Sequence, residues 1–387
     1  MSPILGVTKL FQTVNSAITR GFYSIFSCKM CFYLFRSYSM KSIRKMIQRP
    51  LLATAALALL GTLATPAFAG KTIDAIKARG TLNCGVNPSL PGFAAADSQG
   101  VWSGLDIDVC KAVAATVLGD ANKIKYTPLN AAQRFAVLQA GEIDILSRNT
   151  TWTLNRDASL GLHFTGTTYY DGQGFMVPKK SKITSATKLK GATVCVQSGT
   201  TTEKNLNDYS KVMKLNMKPV VFDTQEATNK AYFAGRCQAY TTDASGLASV
   251  RNKEATNPDD HLILPELISK EPLGPSVRRG DDEFFAIVKW VTYALIEAEE
   301  YGITQGNVDQ LKSSSTDPVV MRILGTSEDT GKLLGLDKDW AYRAIKAVGN
   351  YGEMFERNVG PKSTLKLPRG LNNQWNKGGL MYAPPVR

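Results

Sequence analysis

Histidine is almost missing from this chain of 387 residues: His163 and His261 are the only two. They stand far apart, with no cysteine or carboxylate at metal-ligand spacing, so both read as packing or surface residues and no metal site is expected. Other enzyme signatures are missing as well. No GxxxxGK[ST] phosphate loop and no GxSxG nucleophile elbow occurs, and Gly172-Gln173-Gly174 lacks the third glycine of a dinucleotide fingerprint. That triplet reads as a turn before a strand, and no cofactor is implied. The chain also lacks a Lys/Arg block, although its formal net charge is +13. Residues 1–69 hold eight basic residues and no acidic one, leaving 38 basic against 33 acidic residues in the other 318. A surface that mildly basic excludes nucleic acid as the expected partner.

The N-terminal charge has another explanation. Lys41, Arg44, Lys45 and Arg49 form a basic region, Leu51 to Leu63 an apolar one, and Ala67-Phe68-Ala69 a small-x-small cleavage pattern. Together, residues 40–69 read as a secretory signal peptide. A transmembrane anchor competes for the uncharged stretch from Pro50 to Gly70, but its Ala, Thr and Gly content and its cleavage pattern favour export. No cysteine follows the cleavage site to take a lipid. Residues 1–39 precede a complete signal peptide and read as an upstream extension from a misassigned start codon, so Cys28 and Cys31 carry little weight. The mature chain keeps Cys84, Cys110, Cys195 and Cys237, and four cysteines allow three pairings or four free thiols.

Past residue 70, short strands alternate with amphipathic helices. Helices are expected at 72–79, 105–118, 130–140, 200–209, 225–234 and 282–300. Strands are expected at 81–86, 123–129, 143–146, 192–197, around Val220, at 237–242 and at 261–267. Strands separated by single helices imply parallel βαβ units. The pattern restarts after a loop at 179–191, which suggests two α/β lobes. The tail beyond Lys312, rich in Gly, Asn and Lys, reads as less regular.

Three strand ends carry polar groups suited to a small zwitterion. Arg148-Asn149-Thr150-Thr151-Trp152-Thr153-Leu154-Asn155-Arg156 follows the strand ending at Leu146, where open α/β sheets bind ligands. Arg156 offers a planar fork for a carboxylate, although a loop arginine is commonly just solvated. Asn149-Thr150-Thr151 also matches a glycosylation sequon. Gln197-Ser198-Gly199-Thr200-Thr201-Thr202 leads from strand to helix, an anion-binding geometry that equally serves as a plain N-cap. Asp243, after Thr241-Thr242, can receive an ammonium group or merely cap the next helix.

Taken together, these segments resemble the polar amino-acid solute-binding proteins of bacterial ABC transporters. The likeness runs through GLDIDVCKAVA at Gly104 to Ala114, AGEID at Ala140 to Asp144 and GTT at Gly199 to Thr201. It is greatest to binding components of general L-amino-acid permeases, through LSRNTTWTLNRD, YYDGQGFMV, ISKEPLGPSVR and WNKGGLMYAPPVR. The resemblance implies a type II periplasmic binding fold: lobe one at 71–173 plus 276–387, lobe two at 174–275, joined by two crossing strands. It implies that Arg156 holds an α-carboxylate with Thr151 and the backbone at Thr201, beside Thr200. Asp243 and Asn149 would take the α-ammonium, while Asn87 and Phe93 border the side-chain space. Relatives that bind basic amino acids carry an acidic residue where Asn87 stands and an aromatic platform near Leu90. This chain has neither, which fits broad specificity.

The implied partners are free L-amino acids and the permease subunits at the inner membrane, with the protein a periplasmic monomer. A clamp of two lobes also chooses among the cysteine pairings: Cys84–Cys110 and Cys195–Cys237 leave the hinge free. Two competing classes remain. A dehydratase-type enzyme on the same fold needs a positioned acid or base, and Glu142 and Asp144 read as structural. A sensory domain would continue into a membrane helix and signalling module, and none is expected after Arg387. The exported protein is expected to begin at Gly70; mass spectrometry finding an intact N-terminus would contradict this.

Overall fold

The computed structural model describes residues 72–387, so the expected extension (1–39) and signal peptide (40–69) lie outside the described residues. Two five-stranded sheets organise the chain. In the first, Leu82–Val86 pairs in parallel with Ile124–Pro128 and Ile145–Leu146, and Ser276–Arg278 lies antiparallel between Ile145–Leu146 and Leu162–Phe164. The second repeats the plan. Thr193–Gln197 pairs in parallel with Lys218–Phe222 and Ala239–Asp243, and Gln173–Pro178 lies antiparallel between Ala239–Asp243 and His261–Ile263. In each sheet the antiparallel strand next to the edge, fourth of five, is the one arriving from the other lobe.

The chain crosses between the lobes twice, through Tyr169–Asp171 and back through Glu271–Leu273. These strands pair antiparallel, with Asp171 opposite Glu271 and Tyr169 opposite Leu273. The return strand runs straight into Gly274, where a Cβ would sit 1.9 Å from the carbonyl oxygen of Gly166. No side chain fits between the two connections there, so glycine is required by contact.

The helices expected at 72–79, 105–118 and 282–300 form with those bounds. Elsewhere the ends move for local reasons. The helix expected from Asn130 begins only at Arg134, after a turn in which the Asn130 Oδ1 accepts the Gln133 N–H at 2.8 Å. The strand expected over 261–267 stops at Ile263, two residues before Pro265, which has no N–H for the ladder. Gln173 and Gly174 are not a turn: they open the buried strand Gln173–Pro178, with Gly174 opposite Thr242.

The tail is more regular than expected, folding into helices Pro318–Ile323, Trp340–Val348 and Tyr351–Asn358. Their apolar faces bury Trp340, Ile345, Tyr351 and Phe355 in the core of lobe one, against Ile107, Val113 and Val291. Lobe two has separate cores, one of them around Phe175, Val194 and Leu206. Cys84 is bonded to Cys110, tying strand to helix within lobe one, and Cys195 to Cys237 within lobe two. Loops of those lengths each contribute about 3.5–4 kcal/mol in the chain-entropy picture. No described helix is long and apolar enough to cross a membrane.

Gly274→Ala is expected to destabilise the protein by about 2–3 kcal/mol in urea unfolding, since two backbones must separate. Gly306→Ala, whose Cβ would meet nothing nearer than 3.9 Å, serves as the control. Equal stability of the two variants would contradict the packing described at the crossing.

Candidate functional site

The C-terminal ends of the parallel strands in both sheets open toward one cleft. Lobe one contributes Asn87 after Leu82–Val86, Arg134 after Ile124–Pro128, and Arg148, Asn149 and Thr151 after Ile145–Leu146. From lobe two come Gln197, Thr200, Thr201 and Thr202 at the start of helix Thr201–Val212, and Thr241, Thr242 and Asp243 at the end of Ala239–Asp243. The cavity between them has about 520 Å³ of empty space, partly open to solvent.

The lobes are closed on each other. Asn87 Nδ2 donates to Gln225 Oε1 across the cleft at 3.1 Å, and the Thr151 and Thr201 hydroxyl oxygens are 3.3 Å apart. Ser249 Oγ donates to the Pro91 carbonyl at 2.8 Å. Gly199 lies against Ala132, where a Cβ would come within 3.1 Å of its Cα, and takes φ +70°, which favours glycine.

Each wall is held from behind. Asn149 adopts φ +25°, a region asparagine tolerates better than most residues. Its N–H donates to the buried Asp106 carboxylate at 2.7 Å, and its Oδ1 accepts from Asn87 Nδ2 at 3.1 Å. Thr200 caps its helix by accepting the Glu203 N–H at 3.1 Å and donates its hydroxyl to the Gln197 carbonyl.

Charge in the cleft is unevenly matched. Arg134, Arg148 and Arg156 are all buried. Arg148 donates Nε to the Leu129 carbonyl and Arg156 donates Nη1 to the Thr151 carbonyl at 2.9 Å. Arg134 and Arg156 lie 4.8 and 5.2 Å from the centroid of the same ring, Phe135. The Nε of Arg134 is buried without a hydrogen-bond partner. Burial weakens the hold of Arg134 on its proton, and Arg148 and Arg156 add repulsion. An arginine nevertheless stays protonated at neutral pH, so the group stands in need of an anion. Asp243, opposite, is the only carboxylate lining the cavity among the described residues. Burial raises its pKa well above the usual carboxylate range, helped by the nearby Asp171 and Glu271, so an arriving cation would favour its ionised form.

Of the residues singled out from sequence, Asn87, Asn149, Thr151, Thr200, Thr201 and Asp243 line the cavity, whereas Arg156 and Phe93 do not. Arg156 sits behind Thr151, facing Glu271 and Asp243. Phe93 packs edge-on against Tyr169 of the hinge at 5.2 Å, and Leu90 from the same loop lines the cavity instead. Sequence reasoning missed Arg134, Arg148 and Gln225. Arg134 follows a strand end, so the rule that found the Arg148 to Arg156 segment could have found it. Gln225 carried no signal, because closure of the second lobe is what brings it to Asn87.

Comparison with known proteins gives one consistent picture. The family described as bacterial extracellular solute-binding proteins, family 3, matches residues 82–305. The general L-amino acid-binding periplasmic protein AapJ of Rhizobium johnstonii is 57% identical, over 88% of this chain and all of that protein. The glutamate/glutamine/aspartate/asparagine-binding protein BztA of Rhodobacter capsulatus is 54% identical, over 85% of this chain and 97% of that one. An ABC transporter periplasmic binding protein from Brucella ovis, solved with glutathione bound, is 56% identical with a TM-score of 0.80. The alignment covers 82% of this chain and all of that one.

Burial raises the pKa of Asp106 from 3.8 to about 7, against the opposing pull of the Asn149 N–H and Arg148. Between those values the folded state holds a proton that the unfolded state has released, so this group's contribution to stability falls as pH rises. Asp106→Asn removes that dependence. Its stability relative to the parent is expected to improve from about pH 4.5 to about pH 8 in urea unfolding. A difference constant with pH would contradict the assignment.

Proposed function

Because the chain belongs to the bacterial extracellular solute-binding proteins, family 3, we propose that it captures free L-amino acids in the periplasm and delivers them to the permease of an ABC transporter. The observation that carries this reading is the closed cleft with buried arginines on one lobe and a lone lining carboxylate, Asp243, on the other. An α-amino acid brings one charge of each sign. In this reading residues 40–69 direct export and are cleaved after Ala69, and the mature protein acts as a monomer with no nucleic-acid partner. The names of AapJ and BztA support the ligand class.

Arg156, which sits behind the lining at Thr151, reaches past it to take the α-carboxylate, with the Thr151 hydroxyl and the N–H groups at the start of helix Thr201–Val212. Asp243 takes the ammonium, with Asn149 assisting. Leu90 and Asn87 leave a neutral side-chain wall, while Arg134 lets the same cleft accept a second carboxylate. That accounts for broad rather than single-ligand specificity.

The protein is a binder and not an enzyme in this account. The carboxylates that could serve a dehydratase are engaged elsewhere or exposed. Asp144 accepts the Asn83 N–H and pairs with Arg79, and Glu142 is exposed outside the cleft.

Calorimetry with L-glutamine and L-glutamate tests the reading. Arg156→Ala is expected to weaken both by at least about a hundredfold, the loss for a desolvated carboxylate left without its cation (about 3–5 kcal/mol). Arg156→Lys is expected to recover little, because an ammonium cannot supply the paired donors. Arg134→Met is expected to weaken glutamate about tenfold more than glutamine. Parent-like binding by folded Arg156→Ala would overturn the carboxylate assignment, and equal losses in Arg134→Met would overturn the second.

A further inference from the structure

The strand Glu271–Leu273 does more than connect the lobes. On its lobe-one side it holds the segment that carries Thr151: Trp152 N–H donates to the Pro272 carbonyl at 2.8 Å, Gly274 N–H to the Thr150 carbonyl at 3.0 Å, and Thr151 bridges Leu273. On its lobe-two side Glu271, 1% exposed, reaches the other wall of the cleft. Its Oε2 accepts the Thr201 hydroxyl at 2.9 Å, and its Oε1 accepts Asn205 Nδ2 at 2.7 Å and the Ser269 hydroxyl at 2.6 Å. One short strand therefore grips both threonines that face each other across the cavity.

The proton count sharpens this. Thr201 has a single hydroxyl proton, and Glu271 takes it. Thr151 is then the donor in the 3.3 Å contact between the two hydroxyls, and a ligand carboxylate that accepts the Thr151 proton replaces that contact. Thr201 can present only an acceptor oxygen and its backbone N–H to the cavity, so an incoming carboxylate is met by the backbone rather than by a rotating hydroxyl. Glu271 has strongly charged surroundings. It stands opposite Asp171 on the hinge ladder, a like-charge pair that costs stability, with Asp243 and Arg156 nearby. Asp171 is itself held by the Ser245 hydroxyl and the Gly172 N–H.

We propose that Glu271 is a positioning residue: by fixing the Thr201 hydroxyl from the hinge, it makes lobe closure and alignment of the carboxylate-binding helix start a single event. The inference builds on the amino-acid-binding reading above. Glu271 does not touch the ligand; it acts through Thr201. Gln in its place keeps the shape but has only one acceptor oxygen. With that oxygen serving Asn205 and Ser269, its amide faces Thr201, and the hydroxyl proton is released into the cleft.

The test is a double-mutant cycle on the full mature chain. L-glutamine affinity is measured by calorimetry in the parent, Glu271→Gln, Thr201→Val and the double variant, and interlobe distance by paired spin labels with and without ligand. Glu271→Gln is expected to weaken binding about tenfold and to shift the ligand-free lobes toward wider separations. In the Thr201→Val background the same change is expected to cost less than about twofold. If Glu271→Gln does not fold, Thr201→Val severs the same bond and is expected to widen the ligand-free distances alike. Equal costs in both backgrounds, or ligand-free distances identical to the parent, would overturn the proposal. A parent that binds no amino acid would sink the amino-acid reading instead, while the ligand-free distances would still decide the role of Glu271.

Discussion

Three guanidinium groups buried around one cleft constrain everything else in this molecule. Removing a cation from water is costly unless an anion or a set of acceptors replaces the hydration shell. Arg148 and Arg156 find backbone carbonyls, and Arg156 also faces Glu271 and Asp243. Arg134 leans on Phe135 with its Nε unmatched. Where protein groups leave a charge short, a ligand carboxylate has the most to contribute, and closure on it strengthens every pairing by excluding water. A rigid single-sheet protein could not use this arrangement, because the ligand would have no way in. The division into two lobes on paired hinge strands follows from needing a desolvated site that also opens.

That division is visible in how the chain is braced. Each disulfide stays within one lobe, and the sheets keep separate cores, so nothing covalent beyond the two crossings resists opening. What joins the lobes when closed is polar and local: Asn87 to Gln225, Ser249 to Pro91, and the threonine pair beside Glu271. Such bonds are each worth about 1 kcal/mol net and exchange readily with water. They align the closed state without locking it. The C-terminal helices thicken lobe one alone, through Trp340 and Phe355, and anchor the hinge from that side: Tyr351 donates its hydroxyl to the Thr168 carbonyl at 2.9 Å.

The sequence disclosed much of this because its signals are local. Glycines after helices, alternation of strand and helix, and polar residues at strand ends locate both sheets and most of the cleft lining. The misses have physical causes. The helix starts at Arg134 because Asn130 introduces a turn, its Oδ1 accepting the Gln133 N–H, and the regular helix follows that turn. Phe93 went into the core because a large apolar ring gains more against Tyr169 than at the rim of a polar cavity. Gln225 and Glu271 could not be assigned from local pattern, since their partners lie 138 and 70 residues away, across the cleft for Gln225 and off the hinge strand for Glu271. The tail was underread because Gly, Asn and Lys between its helices masked the spacing of Trp340, Ala344, Ile345 and Val348.

The central claim is that the cleft is completed by a carboxylate and an ammonium on one small molecule. The most direct measurement is calorimetric titration of the unaltered mature protein with L-glutamine and with its analogue lacking only the α-carboxylate, at matched pH and salt. The account expects the analogue to bind at least about a hundredfold more weakly, because Arg156 is then left without its anion. Affinities within threefold of each other would contradict it.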